Sequence, residues 1–315
     1  MNTLSIILLT HNRPYQAYEA IESILAQIDQ RFRLVVSDNS SDDQLKFLID
    51  SNLSGLPDSK LRYLKRDRVY NVVDHGNLCL GEVDSNYFCL FHDDDLMLPN
   101  FVANFWEVLS SYPDLASCGM NALIDKRNEC KKLFFQHYLK YVGPISSKNL
   151  VERYFGRHQL GIAPYPSYVY KKSVMNGMSF DSNHGKYGDV IWLTQVAARG
   201  QMIWVNTPSM IYRLHDGNDS LVESRKDRLK FLAYLKKNKH NLGLNILADY
   251  RFFLYKKNLP ELRFFDQYDQ RSKLLKTYMQ SYRITRWLRF DQHYQLLSKF
   301  LIRQVMRLSK LVQHP

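Results

Sequence analysis

The chain has 315 residues, of which 45% are hydrophobic and 23% charged, and its formal net charge is +12. A chain of this length and composition can bury a sizeable core, which excludes a disordered or fibrous protein. Residues 1–220 hold 22 Lys and Arg against 24 Asp and Glu, whereas residues 221–315 hold 21 against 7. We therefore expect a near-neutral domain over 1–220 and a basic region over 221–315 that binds an anionic partner.

The four cysteines have neither the spacing of a zinc site nor the density of a disulfide framework, so we expect reduced thiols. They are Cys79, Cys89, Cys118 and Cys130. The apolar run at 4–9 follows no basic residue and ends in polar residues, which predicts neither a signal peptide nor a membrane span. These features favour a cytoplasmic location.

The first half of the chain alternates strand and helix patterns. The predicted elements, strands and helices in turn, lie at 4–9, 14–28, 32–36, 42–50, 61–64, 72–81 and 87–91. Repeated βα units of this kind predict an α/β fold with a mostly parallel sheet covered by helices on both faces.

The second half has weaker patterns. The section at about 115–215 is predicted to be irregular, with one helix at 189–199 and short strands at 168–170, 202–205 and 210–214. From about residue 221 the pattern is almost continuously helical, and Pro260 is its one clear break. We expect the irregular section to shape a ligand pocket.

Polar side chains follow four successive predicted strands, at 10–13, 37–40, 65–66 and 92–95. Ligands of parallel sheets bind beyond the carboxyl ends of the strands, so these residues are candidates to bind a nucleotide and a metal. Asp93, Asp94 and Asp95 stand out because adjacent carboxylates repel, and such a cluster implies a divalent cation or basic partners. A solvated acidic turn or a helix cap explains the triplet alone equally well.

Five segments, in this order along the chain, resemble the motifs of family 2 glycosyltransferases, whose nucleotide-binding domain has the GT-A fold. They are residues 5–14, 34–42, 87–99, 187–193 and 212–220. The resemblance implies a GT-A nucleotide-sugar-binding and catalytic domain over 1–220, followed by a basic helical region over 221–315. It also implies inverting transfer of a sugar from a nucleotide-sugar, with UDP expected first, to a glycan or lipid-linked glycan in bacterial cell-surface polysaccharide synthesis.

The resemblance further implies roles for individual residues. The nucleotide-sugar would be bound by Thr10, His11, Asn12, Arg13, Asp38, Asn77, Asp93 and Arg213. The metal, Mn²⁺ or Mg²⁺, would be held by Asp94, Asp95 and His215. Asp189 would be the general base, although its pattern alone favours a plain helix N-cap.

Two positions depart from the family pattern. His92 stands where the first Asp of the DxD motif is usual, so the carboxylate roles could slide by one. Gly76 stands before Asn77 where a basic residue is common. The location of the metal site is therefore better defined than its ligands.

Aromatic residues are numerous at 165–170, where they could line a sugar pocket or pack in a strand. Trp192 and Trp204 are most simply core residues.

Residues 297–312 have an apolar stripe opposite a basic stripe, which predicts an amphipathic helix on an anionic membrane, at the inner face of the cytoplasmic membrane. Packing of this helix in a bundle is the alternative.

The rival functions are a catalytically silent sugar-binding protein, a glycoside hydrolase, and a nucleic-acid-binding protein that uses the basic C-terminal helices. We expect no nucleic-acid partner, because no reader motif is present and acidic clusters would oppose DNA.

Overall fold

The computed structural model describes residues 2–126, 129–155, 160–215, 224–243, 245–250 and 253–254. Strands and helices alternate through the first half as the sequence predicts. They are β1 (Leu4–Thr10), α1 (Pro14–Leu25), β2 (Arg33–Asp38), α2 (Gln44–Leu53), β3 (Leu61–Lys65), α3 (Val72–Gly81) and β4 (Tyr87–His92). The four strands are parallel and lie in the order β3, β2, β1, β4.

The central strand β1 is buried along almost its whole length. A strand with helices on both faces exposes neither set of side chains, which explains its continuous apolar run. Helix α1 begins at Pro14, where the missing N–H costs no intrahelical hydrogen bond, and it buries Ala17, Ala20, Ile21 and Ile24. The βα alternation therefore follows directly from local sequence.

The second half extends the same sheet. Its elements are β5 (Leu96–Met97), α4 (Phe101–Ser111), β6 (Leu115–Lys126), β7 (Glu129–Leu133), β8 (Tyr141–Val142), α5 (Ser147–Phe155), β9 (Val169–Lys171), α6 (Gly188–Arg199), β10 (Gln201–Leu214), α7 (Arg225–Lys237) and α8 (Lys239–Leu242). Beyond β4 the sheet continues in the order β9, β6, β10, β5. Strand β9 is antiparallel to both β4 and β6, and β10 is parallel to β6. Strands β6 and β10 therefore run in the same direction as β1 and β4.

The expectation that residues 115–215 are irregular was wrong. This section contains β6 and β10, which have 12 and 14 residues. The predicted strands at 202–205 and 210–214 are two parts of β10, separated by register shifts around Pro208. Proline cannot donate a ladder hydrogen bond, and it interrupts the strand pattern without ending the strand.

Small residues in β6 allow its close packing. A Cβ atom added at Gly119 would lie 2.7 Å from the ring of Tyr168 and 2.9 Å from Cβ of Ala163.

Trp192 and Trp204 are buried, as predicted. Cys79, Cys89 and Cys118 are buried free thiols, also as predicted, and the side chain of Cys130 lies outside the described residues.

The chain divides into two compact units, residues 1–150 with 160–231 and residues 151–159 with 232–315. The first unit contains the sheet. In the second, the rings of Phe155, Tyr250 and Phe253 lie 4.9 to 5.7 Å apart. The predicted boundary at 220/221 stays a prediction, and the predicted helix at 297–312 lies outside the described residues. None of the helices in the described part of the chain has the length and apolar character needed to cross a membrane.

Candidate active site

The carboxyl ends of the parallel strands bring most of the predicted site residues to one edge of the sheet. Thr10 ends β1, Asp38 ends β2, and the acidic triplet Asp93–Asp95 follows β4 directly. Because β10 runs in the same direction, its last residues bring Arg213 to the same edge. Residues at the ends of four strands thus converge, although Thr10 and Arg213 are 203 positions apart in the sequence.

Arg13 joins the first two carboxylates of the triplet. Its Nη1 atom donates to Oδ1 of Asp93 at 3.0 Å and to Oδ2 of Asp94 at 2.9 Å. Asp93 also accepts a hydrogen bond from the backbone N–H of His11 at 3.1 Å. Burial raises the pKa of Asp93, although the charge of Arg13 opposes that shift. The acidic triplet is therefore partly neutralised by a residue of the loop after β1.

Arg213 ties β10 to the carboxylate of Asp95 and to the backbone of Asp94. Its backbone N–H donates to Oδ1 of Asp95 at 3.0 Å, and its Nε atom donates to the backbone oxygen of Asp94 at 2.5 Å. Its Nη1 atom lies 2.5 Å from Oε2 of Glu19. Burial, followed by the charge of Asp94, raises the pKa of Asp95 well above its usual range.

A candidate metal centre is formed by His92, Asp94 and Asp95. Each offers one ligand atom, and these atoms all lie within 4.8 Å of one another. The Oδ2 atom of Asp95 is buried and accepts no hydrogen bond from the described residues. A buried carboxylate oxygen without a donor is costly unless a cation or a proton satisfies it. Carboxylate and imidazole donors together suit Mn²⁺, and the carboxylates suit Mg²⁺.

The predicted ligand set differs from this cluster at one position. His215 is not a member, although its Nε2 atom lies 3.1 Å from Oδ2 of Asp94. His92 is a member that the prediction of Asp94, Asp95 and His215 left out. The signal was available, because His92 occupies the usual position of the first DxD aspartate and imidazole is itself a metal ligand. The roles of these residues stay predictions.

The loops after β1 and β2 are cross-linked by hydrogen bonds. The backbone N–H of Asn12 donates to Oγ of Ser40 at 2.8 Å, and Oδ1 of Asn12 accepts from the backbone of Ser41 at 3.0 Å. Nδ1 of His11 lies 2.9 Å from the backbone oxygen of Asn39. Asn12 has φ of 53°, a left-handed conformation that Asn tolerates better than most residues. The two loops thus form one prearranged wall.

Asp38 lies beneath this wall and is fully buried. Its carboxylate accepts hydrogen bonds from the Tyr63 hydroxyl at 2.5 Å and from the backbone N–H of Ser40 at 2.9 Å. Burial, followed by the hydrogen bond to Asp38, raises the pKa of Tyr63, which therefore stays protonated as a donor. The side chain of Asp38 has no exposed surface, and its role in binding the nucleotide-sugar stays a prediction.

Asn77 lies on α3, and the backbone of Phe180 engages both ends of its amide. Its Nδ2 atom donates to the Phe180 oxygen at 3.0 Å, and its Oδ1 atom accepts from the Phe180 N–H at 2.8 Å. This placement fixes the segment before α6. The predicted contact of Asn77 with the nucleotide stays a prediction.

Asp189 lies in the first turn of α6, one residue after the start of the helix. The cap position belongs to Tyr187, so the plain N-cap interpretation does not describe Asp189. The Oδ1 atom of Asp189 accepts from the backbone N–H of Val190 at 2.7 Å. The side chain is reached by solvent, yet the surrounding protein desolvates its carboxylate and raises its pKa to about 6.

Tyr165 lies beside His92 of the candidate metal centre and close enough to Asp189 to feel its charge. Its ring centroid is 5.8 Å from that of His92, and the negative charge of Asp189 contributes, after burial, to the raised pKa of its hydroxyl. A carboxylate with a raised pKa and a candidate metal centre thus both lie near one aromatic ring. Such a pairing is typical of a catalytic site.

The family model for glycosyl transferase family 2 matches residues 5–161, which include β1 to β4 and the acidic triplet. The chain belongs to glycosyl transferase family 2. The resemblance found in the sequence is thereby confirmed, and the protein is a glycosyltransferase.

Known proteins resemble this family 2 glycosyltransferase over most of its length. The GalNAc(5)-diNAcBac-PP-undecaprenol beta-1,3-glucosyltransferase of Campylobacter jejuni is 24% identical over 237 residues, which are 75% of this chain and 73% of that protein. S. aureus TarS 1–349 in complex with UDP-GlcNAc has a TM-score of 0.66 and 11% identity, covering 91% of this chain and 84% of that one.

A mannosyltransferase from Pyrobaculum calidifontis, PcManGT, in complex with GDP-Man and Mn²⁺, has a TM-score of 0.54 and 13% identity, covering 93% and 84%. At this level of identity the solved structures establish the fold alone. The predicted GT-A fold is confirmed.

Proposed function

We propose that this glycosyltransferase moves a sugar from a UDP-sugar to a lipid-linked glycan, with inversion at the anomeric carbon. The observation that carries this proposal is that a candidate metal centre and a carboxylate with a raised pKa both lie near Tyr165. Transfer from a nucleotide-sugar needs both parts: a cation for the departing diphosphate and a base for the acceptor hydroxyl.

The nucleotide would lie along the wall formed by the loops at 10–13 and 38–41. The cross-links between Asn12, Ser40 and Ser41 hold this wall in place before a ligand arrives, which reduces the entropy lost on binding. S. aureus TarS supports UDP as the first nucleotide to test, because it is known in complex with UDP-GlcNAc and with UDP.

The divalent cation would be held by His92, Asp94 and Asp95. The distances among their ligand atoms and the open Oδ2 atom of Asp95 support this assignment. When bound, the cation neutralises the charge that develops on the leaving nucleoside diphosphate. Arg13 and His215 contact Asp94 and would orient its carboxylate. Mn²⁺ is the first ion to test, because PcManGT is known with Mn²⁺.

Asp189 would act as the general base. A pKa of about 6 leaves its carboxylate mostly ionised at neutral pH and close enough to the working pH to transfer a proton efficiently. It would take the proton from the acceptor hydroxyl as that oxygen attacks the anomeric carbon. A direct in-line attack inverts the anomeric carbon and needs one such base.

The acceptor would be a glycan carried on a lipid. The Campylobacter jejuni relative is named for an acceptor linked to undecaprenol through a pyrophosphate. The excess of basic residues at 221–315 would place the enzyme on an anionic membrane surface, at the inner face of the cytoplasmic membrane. The protein would then act in the synthesis of a cell-surface polysaccharide.

A thermal-shift screen of UDP, dTDP and GDP, with and without Mn²⁺, tests the donor site. A ligand that binds only the native state raises its melting temperature, and we expect the largest rise with UDP and Mn²⁺ together. Mn²⁺-dependent hydrolysis of a UDP-sugar then separates an enzyme from a silent sugar-binding protein. Nucleotide binding that is equal with and without Mn²⁺ would contradict the proposed metal site.

A further inference from the structure

Four aromatic rings form a continuous series from the candidate metal centre to helix α6. The ring centroids of His92 and Tyr165 are 5.8 Å apart, those of Tyr165 and Phe180 are 6.3 Å apart, and those of Phe180 and Trp192 are 4.4 Å apart. Trp192 lies one helical turn after Asp189 on α6. The series therefore spans the distance between the two ends of the candidate site.

The members differ in exposure. Trp192 is buried, with 2% of its surface exposed, whereas Tyr165 and Phe180 are each partly exposed. Trp192 packs against Phe180, and Phe180 and Tyr165 keep part of their surface accessible to solvent. We call these two partly exposed rings the aromatic platform.

Residues of α3 fix the position of Phe180. The amide of Asn77 makes two hydrogen bonds to the Phe180 backbone, at 3.0 and 2.8 Å. A Cβ atom added at Gly76 would lie 3.1 and 3.2 Å from two carbons of the Phe180 ring. The ring is therefore in tight contact with α3 at position 76, and a side chain there would require the Phe180 ring to shift by a few tenths of an ångström.

We propose that the aromatic platform of Tyr165 and Phe180 binds the acceptor sugar by stacking on the apolar face of its pyranose ring. This inference rests on the proposed function and adds the determinant of acceptor binding. The acceptor hydroxyl must lie at Asp189, and Phe180 packs on Trp192 of the same helix, so the platform is next to the base.

The physical gain is burial of apolar surface. One face of a pyranose carries mainly C–H groups, and covering it with a rigid ring removes apolar area from water on both partners. Asn77 and Trp192 hold the ring in place beforehand, so little conformational entropy is lost on binding. Removing the ring should weaken acceptor binding about tenfold while leaving the nucleotide site intact.

The test compares two variants with a matched control. Phe180→Leu removes the ring and keeps an apolar side chain, and Gly76→Ala displaces the ring from α3. Alanine favours a helix more than glycine does, but its methyl group would press on the Phe180 ring, so the melting temperature of this variant is measured together with its kinetics. The control is Trp106→Leu, which changes a partly exposed aromatic residue in the cavity beside Asn2–Ser5, at the amino ends of the strands.

Each protein is assayed with UDP-glucose and Mn²⁺, first without acceptor and then with a panel of octyl glycosides of glucose, galactose and N-acetylgalactosamine. We expect Phe180→Leu to raise the acceptor KM about tenfold and Gly76→Ala to raise it severalfold, with UDP affinity and donor hydrolysis unchanged. Trp106→Leu should match the wild type in all three measurements.

The outcomes separate the two proposals. Wild-type protein that hydrolyses no UDP-sugar in Mn²⁺ would refute the proposed function itself. If donor hydrolysis is intact and both platform variants keep the wild-type acceptor KM, the platform alone is refuted. The platform is also refuted if none of the glycosides changes the rate at which the wild type consumes UDP-glucose. A parallel loss of UDP affinity in Phe180→Leu would place the ring in the donor site instead.

Discussion

The side chain of Asp189 is reached by solvent, yet its carboxylate is desolvated. Its raised pKa predicts how the catalytic rate depends on pH. A base works only when it is deprotonated, so a pKa of about 6 predicts that kcat/KM falls as the pH drops through 6. At one unit below the pKa about a tenth of the carboxylate stays ionised, and the rate should fall about tenfold. Rates measured from pH 5 to 8 in saturating Mn²⁺ check this acid limb, and a profile that is flat to pH 5 would contradict it.

Replacement of the same side chain distinguishes catalysis from structure. Asp189→Asn keeps the size and can still accept the hydrogen bond from the Val190 N–H, so we expect a nearly unchanged melting temperature and UDP affinity. The amide cannot take a proton, and loss of general-base assistance typically lowers the rate about 10²–10⁴-fold. Transfer should therefore fall at least a hundredfold. Turnover close to that of the wild type would remove Asp189 from the mechanism.

His75 has a different role, because it is buried and bonded rather than open to the cleft. Its Nε2 atom lies 2.6 Å from Oγ of Ser37, and burial, followed by the charge of Arg66, lowers its pKa to about 4. The unfolded chain, with a His pKa of about 6.5, binds the proton more readily, so stability is present above pH 6.5 and is lost as the pH falls toward 4.

Between pH 7 and 5 this linkage amounts to about 2 kcal/mol of unfolding free energy. Urea unfolding of the wild type and of His75→Gln at both pH values measures it, because glutamine does not titrate. The variant should lose about 2 kcal/mol less than the wild type over this interval. Equal losses in the two proteins would assign the pH dependence to other groups.

Asn77 has two candidate roles. The sequence predicts that it contacts the nucleotide, whereas the structure indicates that it positions Phe180. If it positions Phe180, Asn77→Ala should raise the acceptor KM severalfold and leave UDP affinity within about twofold, since both amide contacts go to the Phe180 backbone. If it contacts the nucleotide, UDP affinity should fall instead. Calorimetry with UDP and Mn²⁺, together with acceptor kinetics on the same preparation, decides between these roles.

At the scale of elements, the first half was predictable because each strand and helix there has a clear local pattern. Strand β6 was not predictable, because Ser117, Gly119 and Asn121 lie in a fully buried stretch with low strand propensity. Their burial depends on partners distant in sequence. Nδ2 of Asn121 donates to the backbone oxygen of Phe135 at 2.8 Å, and its Oδ1 accepts from the Phe135 N–H at 3.2 Å.

These contacts predict that Asn121 is a structural residue of the sheet. Asn121→Ala would remove both hydrogen bonds between its amide and the Phe135 backbone, and the loss of a buried hydrogen-bond partner costs about 1–3 kcal/mol. We expect a loss of about 2–4 kcal/mol of unfolding free energy in urea. Asn52→Ala on α2, where the residue is exposed, is the control and should change stability by less than about 0.5 kcal/mol. If Asn121→Ala lost as little unfolding free energy as the control, the backbone groups of Phe135 would have to find other hydrogen-bond partners in the variant.

At the scale of the whole molecule, the sequence predicted the family and the edge of the sheet that carries the site. The carboxyl ends of parallel strands lie at the same edge of the sheet, so a motif that directly follows a predicted strand can be placed at that edge from the sequence. The sequence marked His92 as a candidate ligand, but the choice among His92, Asp94, Asp95 and His215 depends on side-chain distances that the sequence does not define. The aromatic platform likewise depends on the structure, because its two rings and their supports lie on segments from Gly76 to Trp192.

The uneven charge of the chain leads to a prediction about the region beyond the described residues. Residues 221–315 hold 21 Lys and Arg against 7 Asp and Glu, and the stripe at 297–312 includes Arg303, Arg307 and Lys310. Near an anionic surface each basic residue contributes about 1 kcal/mol, so three neutralising substitutions should weaken vesicle binding about a hundredfold. We expect the triple variant to glutamine to leave UDP affinity unchanged, because the nucleotide wall belongs to residues 10–13 and 38–41.

Co-sedimentation with phosphatidylserine vesicles at two salt concentrations measures this binding, and pure phosphatidylcholine vesicles give the background. An electrostatic attachment weakens as salt rises, because the Debye length shortens from about 10 Å at 0.1 M to about 3 Å at 1 M. The deletion of residues 282–315 should remove binding altogether, since it also takes away the apolar stripe. If the triple variant and the deletion both sediment like the wild type, the basic stripe packs within the protein and the acceptor lipid is reached by another surface.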